Sequence, residues 1–213
     1  MGQKVNPNAY RLGILSTWIS RWFMNSKKDF RDTLMEDIEL REFLMKRLRN
    51  AGVARVEIER SIRNVNIILN VSRPGVTIGR GGEELNKLKK EVEAFFKQKN
   101  RNVKIDIHIE AIKKPDLEPH LVAQNVAEQL ERRMPHKRVV NIAMSRVMAA
   151  GAKGVRIVLA GRIAGAEISR TEKYSQGTVP LSTIREDVSF DRVPALTKSG
   201  YVGVKVWICR KSE

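Results

Sequence analysis

One short stretch constrains this chain more than any other: Pro74-Gly75-Val76-Thr77-Ile78-Gly79-Arg80-Gly81-Gly82. Before it, Val65, Ile67, Leu69 and Val71 alternate with polar or outward positions, the pattern of a half-buried strand. After it, Leu85, Leu88, Val92, Phe95 and Phe96 share one face of a helix. The glycine turn therefore lies between a strand and the N-terminus of a helix in a small α/β unit. Glycine lets the backbone turn sharply and approach a phosphate closely, and the free N–H groups of a first helical turn favour an anion. Arg80 adds a charge that no ordinary pH removes. Gly79, Arg80, Gly81 and Gly82 are thus candidate nucleic-acid contacts. Ile78 is placed to plug the core beneath them, and Glu83 and Glu84 suit the positive end of the helix dipole.

The surrounding pattern supports that placement. Residues 27–50 are expected to be helical in two pieces, one around Phe30 and Leu34 and one carrying Ile38, Phe43, Leu44 and Leu48, ending at Gly52. Val53, Val56 and Ile58 mark a strand ahead of Val65–Val71, and Val103, Ile105, Ile107 and Ile109 mark another after the helix. Helix, strand, strand, glycine loop, helix, strand is most economically packed as three strands with helices on one side. That order, with a G-x-x-G loop, is how a KH domain grips single-stranded nucleic acid.

Charge points to the same partner. The 213 residues include 40 Lys plus Arg against 24 Asp plus Glu, a net +16, which calls for a polyanion. The excess is densest from Arg132 to Arg170, where Glu167 is the only acid among nine basic residues. No apolar run is long enough to span a bilayer, and the opening residues lack the apolar core of a signal peptide, so no membrane role is expected. Cys209 is the single cysteine, which excludes an internal disulfide; a buried inert thiol is expected there. No G-x-S-x-G, H-E-x-x-H or P-loop pattern occurs. Neither catalysis nor a metal or cofactor is expected.

The chain divides into an arm over 1–26, a first domain over 27–110, a proline-marked linker over 111–119 and a second domain over 120–210. In the arm, Trp18 and Trp22 are expected to be core or docking anchors, while Lys4, Arg11 and Arg21 are phosphate candidates. The second domain is expected to pair helices over 118–133 and 138–150 with strands over 155–159, 168–174, 183–190 and 200–209. The fold class is α/β (α+β), with two helices on a four-stranded, mostly antiparallel sheet. Its charged strand and turn residues, Arg156, Arg162, Arg170, Lys173 and Arg185, either line a solvated face or meet phosphates.

Taken together, Met1-Gly-Gln-Lys-Val-Asn-Pro7 with Arg11-Leu-Gly-Ile14, Arg73-Pro-Gly-Val76, Ile78-Gly-Arg-Gly-Gly82, Gly151-Ala-Lys-Gly154, Gly161-Arg162 through Gly165-Ala-Glu-Ile168, Arg170-Thr-Glu172, Val179-Pro-Leu181 and Gly203-Val-Lys-Val-Trp207 resemble the small-subunit ribosomal protein three family, of bacterial or organellar type, along essentially the whole chain. The resemblance implies a type II KH domain and the family's second α/β domain. It implies a structural role in the head of the small subunit, bound to ribosomal RNA, on a cytoplasmic ribosome or an organellar one. RNA contacts are then expected at Lys4, Arg11, Gly79, Arg80, Gly81, Gly82, Lys153, Arg156, Arg162 and Arg170. A place at the messenger RNA entry channel is implied for Arg132, Arg133, Lys137 and Arg138. Small-subunit proteins ten and fourteen are implied as neighbours, with proteins four and five around the channel. The alternative from the residues alone is a free-standing KH regulator of RNA.

Overall fold

The structure is a computed structural model and describes residues 5–61, 64–98 and 103–211. It forms two compact units: Trp18–Lys113, and Met1–Thr17 together with Lys114–Glu213. The first 26 residues, expected as one arm, are therefore shared between the units.

Near the amino terminus, Pro7–Tyr10 form a single helical turn, α1. Asn6 caps it by accepting from Asn8 N–H at 2.9 Å, and Pro7 fits the first position because its missing N–H would be unpaired there anyway.

In the Trp18–Lys113 unit, the short strand β1 (Ser20–Arg21) leads to α2 (Lys27–Arg47), β2 (Val53–Arg60), β3 (Asn64–Val71), α3 (Pro74–Ile78), α4 (Glu83–Gln98) and β4 (Lys104–Ala111). The sheet order is β1-β2-β3-β4, with β2 antiparallel to β3 and the two outer pairings parallel. Ser20–Arg21 thus adds an edge strand to the three that were expected. Parallel pairing of β3 with β4 requires a crossover connection, and α3, the glycine turn and α4 supply it. Leu40, Leu44, Ile58, Ile67, Leu69, Leu88, Val92 and Phe96 close the core.

Helix α2 is one continuous helix where two pieces were expected. Its buried face runs Thr33, Glu36, Asp37, Leu40, Leu44, so two acids interrupt the apolar stripe without interrupting the helix. They are answered from β2. Arg60 donates to Asp37 Oδ1 from Nε at 2.8 Å and to Glu36 Oε2 from Nη1 at 3.1 Å. Asp37 also accepts from Trp22 Nε1 at 2.7 Å and Ser20 Oγ at 3.1 Å, which ties the start of this unit onto the helix. Trp22 is thereby the anchor that was expected, also packing on Phe30 with ring centroids 5.2 Å apart. Trp18 is 68% exposed and anchors nothing within the unit.

In the second unit, α5 (Pro119–Glu131) and α6 (His136–Ala149) cover one face of a sheet made of β5 (Gly154–Gly161), β6 (Arg170–Gly177), β7 (Val188–Thr197) and β8 (Gly200–Cys209). The strand order is β6-β5-β8-β7 and every pairing is antiparallel. Helix α5 packs on β7 and β8, and α6 on β5 and β6. Val126, Val139, Val147, Ile157, Leu159, Val204 and Val206 fill the space between. The third strand lies later than the expected 183–190, because the backbone carbonyls at 180–186 are engaged by a buried arginine instead of a neighbouring strand.

Candidate nucleic-acid interface

The glycine turn is built by its backbone. Helix α3 ends at Gly79, whose φ of 73° and ψ of −176° lie in a region essentially confined to glycine. A Cβ there would lie 2.8 Å from Cγ of Glu84, so this glycine is also required by packing. Gly81 and Gly82 have φ of 61° and 81°, but an added Cβ would meet nothing within 4 Å. Those two glycines keep an open approach. Arg80 is exposed between Gly79 and Gly81.

Ile78 does not plug the core, contrary to expectation. It is 39% exposed, and Thr77 is the buried residue beneath the turn. The helical turn from Pro74 to Ile78 points position 77 inward and carries 78 outward. Glu84, which packs against Gly79, is bound by Lys87 at 3.0 Å, and Arg47 lies 3.9 Å away. The Lys87 hydrogen bond holds its carboxyl below the usual range, so its charge is already answered when a phosphate approaches.

Of the other sequence candidates, Lys4 lies outside the described residues. Arg11 is a correction: it is 2% exposed and its guanidinium is turned onto backbone carbonyls. It donates to the backbone oxygens of Glu186 at 2.7 Å, Thr183 at 2.8 Å, Pro7 at 3.2 Å, and Pro180 and Leu181 at 3.3 Å each. A single planar fork thus satisfies a loop that has no strand partner. At 2% exposure the side chain is out of reach of a phosphate. Arg21 bridges Glu57 and Glu59 at 3.0 and 2.8 Å.

In the second unit, Lys153 pairs with Glu186, Arg170 with Glu172 at 2.8 Å, and Arg162 donates to Ala166 O at 2.8 Å across its own turn. Arg156 differs. Strand register puts it directly opposite Trp207, and its guanidinium carbon is 5.7 Å from that ring's centroid. The same face carries Lys173, Lys205 and Arg192, because Val158 pairs with Lys173 and Lys205, and Lys205 with Arg192. Among the described residues none of these four cations makes an ion pair. Sequence reasoning missed Lys205 and Arg192 as site residues; the available signal was that each alternates with inward residues of its strand.

Arg132, Arg133, Lys137 and Arg138 are all exposed at the corner between α5 and α6. The corner closes with Arg133 N–H on Leu130 O at 2.9 Å and Met134 N–H on Gln129 O at 3.1 Å, the hydrogen-bond pattern that usually places glycine at the left-handed position. Here Arg133 occupies it, with φ of 61°. A backbone conformation that favours glycine is thus maintained at a cationic residue. Val139 and Val140, next in sequence, are fully buried and belong to the core.

Among the described residues, no group of three or more His, Cys, Asp or Glu is placed to hold a metal ion, and no helix is long and apolar enough to cross a membrane. Cys209 is buried, and burial followed by the nearby Glu186 carboxylate pushes its thiol above the ordinary range.

The sequence matches the KH domain family over residues 39–117 and the family described as "Ribosomal protein S3, C-terminal domain" over residues 126–208. It is 48% identical to the "Small ribosomal subunit protein uS3" of Desulforudis audaxviator over 210 residues, covering 99% of this chain and 94% of the relative. The protein of the same name from Coxiella burnetii is 47% identical, covering 98% of this chain and 89% of the relative. The one from Clostridioides difficile is 45% identical, covering 98% and 75%.

Proposed function

The chain belongs to the ribosomal protein S3 family, and from that premise we propose that it is a non-enzymatic, structural constituent of the small ribosomal subunit that binds ribosomal RNA. The observation that carries this reading is the joint presence of a KH unit and an S3 C-terminal unit in one chain, at 44–48% identity to bacterial proteins of that name over nearly its full length. The physical role is positional. Cations displace counterions from phosphates, the glycine turn approaches the RNA backbone, and no bond is made or broken. Co-sedimentation tests it: tagged protein stays with small subunits through a high-salt wash. Protein that runs free of them overturns the assignment.

The finer placement follows the family resemblance. The protein sits in the subunit head beside small-subunit proteins ten and fourteen, on a cytoplasmic ribosome, with proteins four and five around the messenger entry. Arg132 and Arg133, with Lys137 and Arg138, face the entering messenger RNA. Their exposure and the glycine-like backbone at Arg133 support an outward cationic corner. Subunits carrying Arg132→Ala with Arg133→Ala are expected to assemble normally and to slow only on messages with hairpins. Equal rates on structured and unstructured messages would remove the corner from this role.

A further inference from the structure

We propose that the outer face of the second sheet contains a subsite for one unpaired RNA nucleotide, with its base against the rings of Trp207 and Phe190 and its phosphates on Lys173, Lys205 and Arg156. The face away from α5 and α6 holds a cavity of about 330 Å³ lined by these five residues and rimmed by Asn6 and Pro7. That volume is at the small end of ligand pockets, roughly 300–1,000 Å³, and suits a nucleotide in place of a helix.

The ring centroids of Phe190 and Trp207 are 4.9 Å apart at 32°, a tilted stack that places an aromatic pair in the cavity lining. Asn8 fixes one wall: its side chain donates to Phe190 O at 2.8 Å and accepts from Phe190 N–H at 2.9 Å, so the amino-terminal turn is fastened to the edge strand.

The occupant follows from chemistry. No carboxylate lines the cavity, and its three cations make no ion pair among the described residues. Duplex RNA presents phosphates but keeps its bases stacked inside, out of reach of the rings. An acidic peptide answers the cations and leaves the aromatic pair unused. An unpaired nucleotide uses both, since base–aromatic stacking and a cationic groove are the two components of single-strand recognition. This subsite rests on the RNA-binding reading above and gives it a chemical class and a place.

The test uses the full chain at fixed salt with three probes: a short single-stranded RNA, an abasic oligomer of the same length and charge, and polyglutamate. Wild-type protein is expected to prefer the base-bearing oligomer by about tenfold, the scale of one stacked base. Trp207→Leu should abolish most of that preference with the salt dependence kept, and Trp207→Phe should retain most of it. Lys173→Gln with Lys205→Gln, both exposed, should weaken both oligomers alike. If Trp207→Leu leaves the preference intact, or polyglutamate binds as well as RNA, the subsite is overturned. Protein absent from small subunits with the Trp207-dependent preference intact would sink the ribosomal reading alone. Protein incorporated into subunits without that preference would sink the subsite alone.

Discussion

The glycine turn between α3 and α4 and the outer face of the second sheet, the two surfaces proposed for RNA, are built in different ways. The turn is made of consecutive residues, and its shape is a matter of φ and ψ at Gly79, Gly81 and Gly82. It brings one exposed cation, Arg80, beside an acid already bound by Lys87. The sheet face is assembled from four strands, and its cations at 156, 173, 192 and 205 meet only through register. The first surface should therefore be sensitive to geometry and only weakly to salt. The second should be sensitive to charge and steeply to salt. A protein held in a large particle gains from both, because one fixes distance to a backbone and the other supplies attraction.

The sharpest separation of the two should come from the buried acid at position 37. Asp37→Ala leaves Arg60, whose side chain is 3% exposed, short of its main partner, and loss of one member of a buried ion pair costs about 3 kcal/mol or more. Hydrogen exchange should show residues 18–113 opening early while the second unit stays protected. Equal loss in both units would mean that they fold as one and cannot be compared as independent surfaces.

Next in size is the combined change Arg156→Gln, Lys173→Gln, Arg192→Gln and Lys205→Gln. The slope of log affinity against log salt should fall by about 1.4, at about 0.7 for each of the two phosphates that flank one nucleotide of a single strand. An unchanged slope would move the charge-dependent surface elsewhere. Arg11→Lys keeps the charge but loses the planar fork, and should lower stability by about 2 kcal/mol in a thermal melt while leaving the salt slope unchanged. A changed slope with unchanged stability would return Arg11 to the phosphate contacts.

Within the loop, Gly79→Ala should cost about 2 kcal/mol of stability, because it meets Glu84 and adopts a glycine-only conformation. Gly81→Ala should cost about 1 kcal/mol, from its left-handed backbone alone. If the two melt alike, the packing distinction between them is lost. The smallest expected effect is chemical: Cys209, raised by burial, should resist alkylation at neutral pH until the second unit unfolds.

The loop was legible in the sequence because a motif of adjacent residues is a local object. The strands and helices around it were legible where one face is purely apolar, as in β3, β4 and β8. They were misread where polar groups enter the core. Glu36 and Asp37 broke the apolar rhythm of α2, and only Arg60 on β2 explains why they are buried there. Arg11 looked like a surface cation because arginine usually is one. Its burial depends on five backbone oxygens, four of them some 170 residues away in sequence, which no local pattern can announce.

The amino-acid sequence by itself determined the polyanionic partner, the glycine turn, the two-part architecture and the family, since charge, glycine placement and hydrophobic period act over short stretches. The tertiary structure decided which cations remain free. Whether an arginine faces a phosphate, a carboxylate or a backbone carbonyl depends on what strand register and loop closure bring beside it. Those pairings join residues whose distance along the chain carries no information about their distance in space.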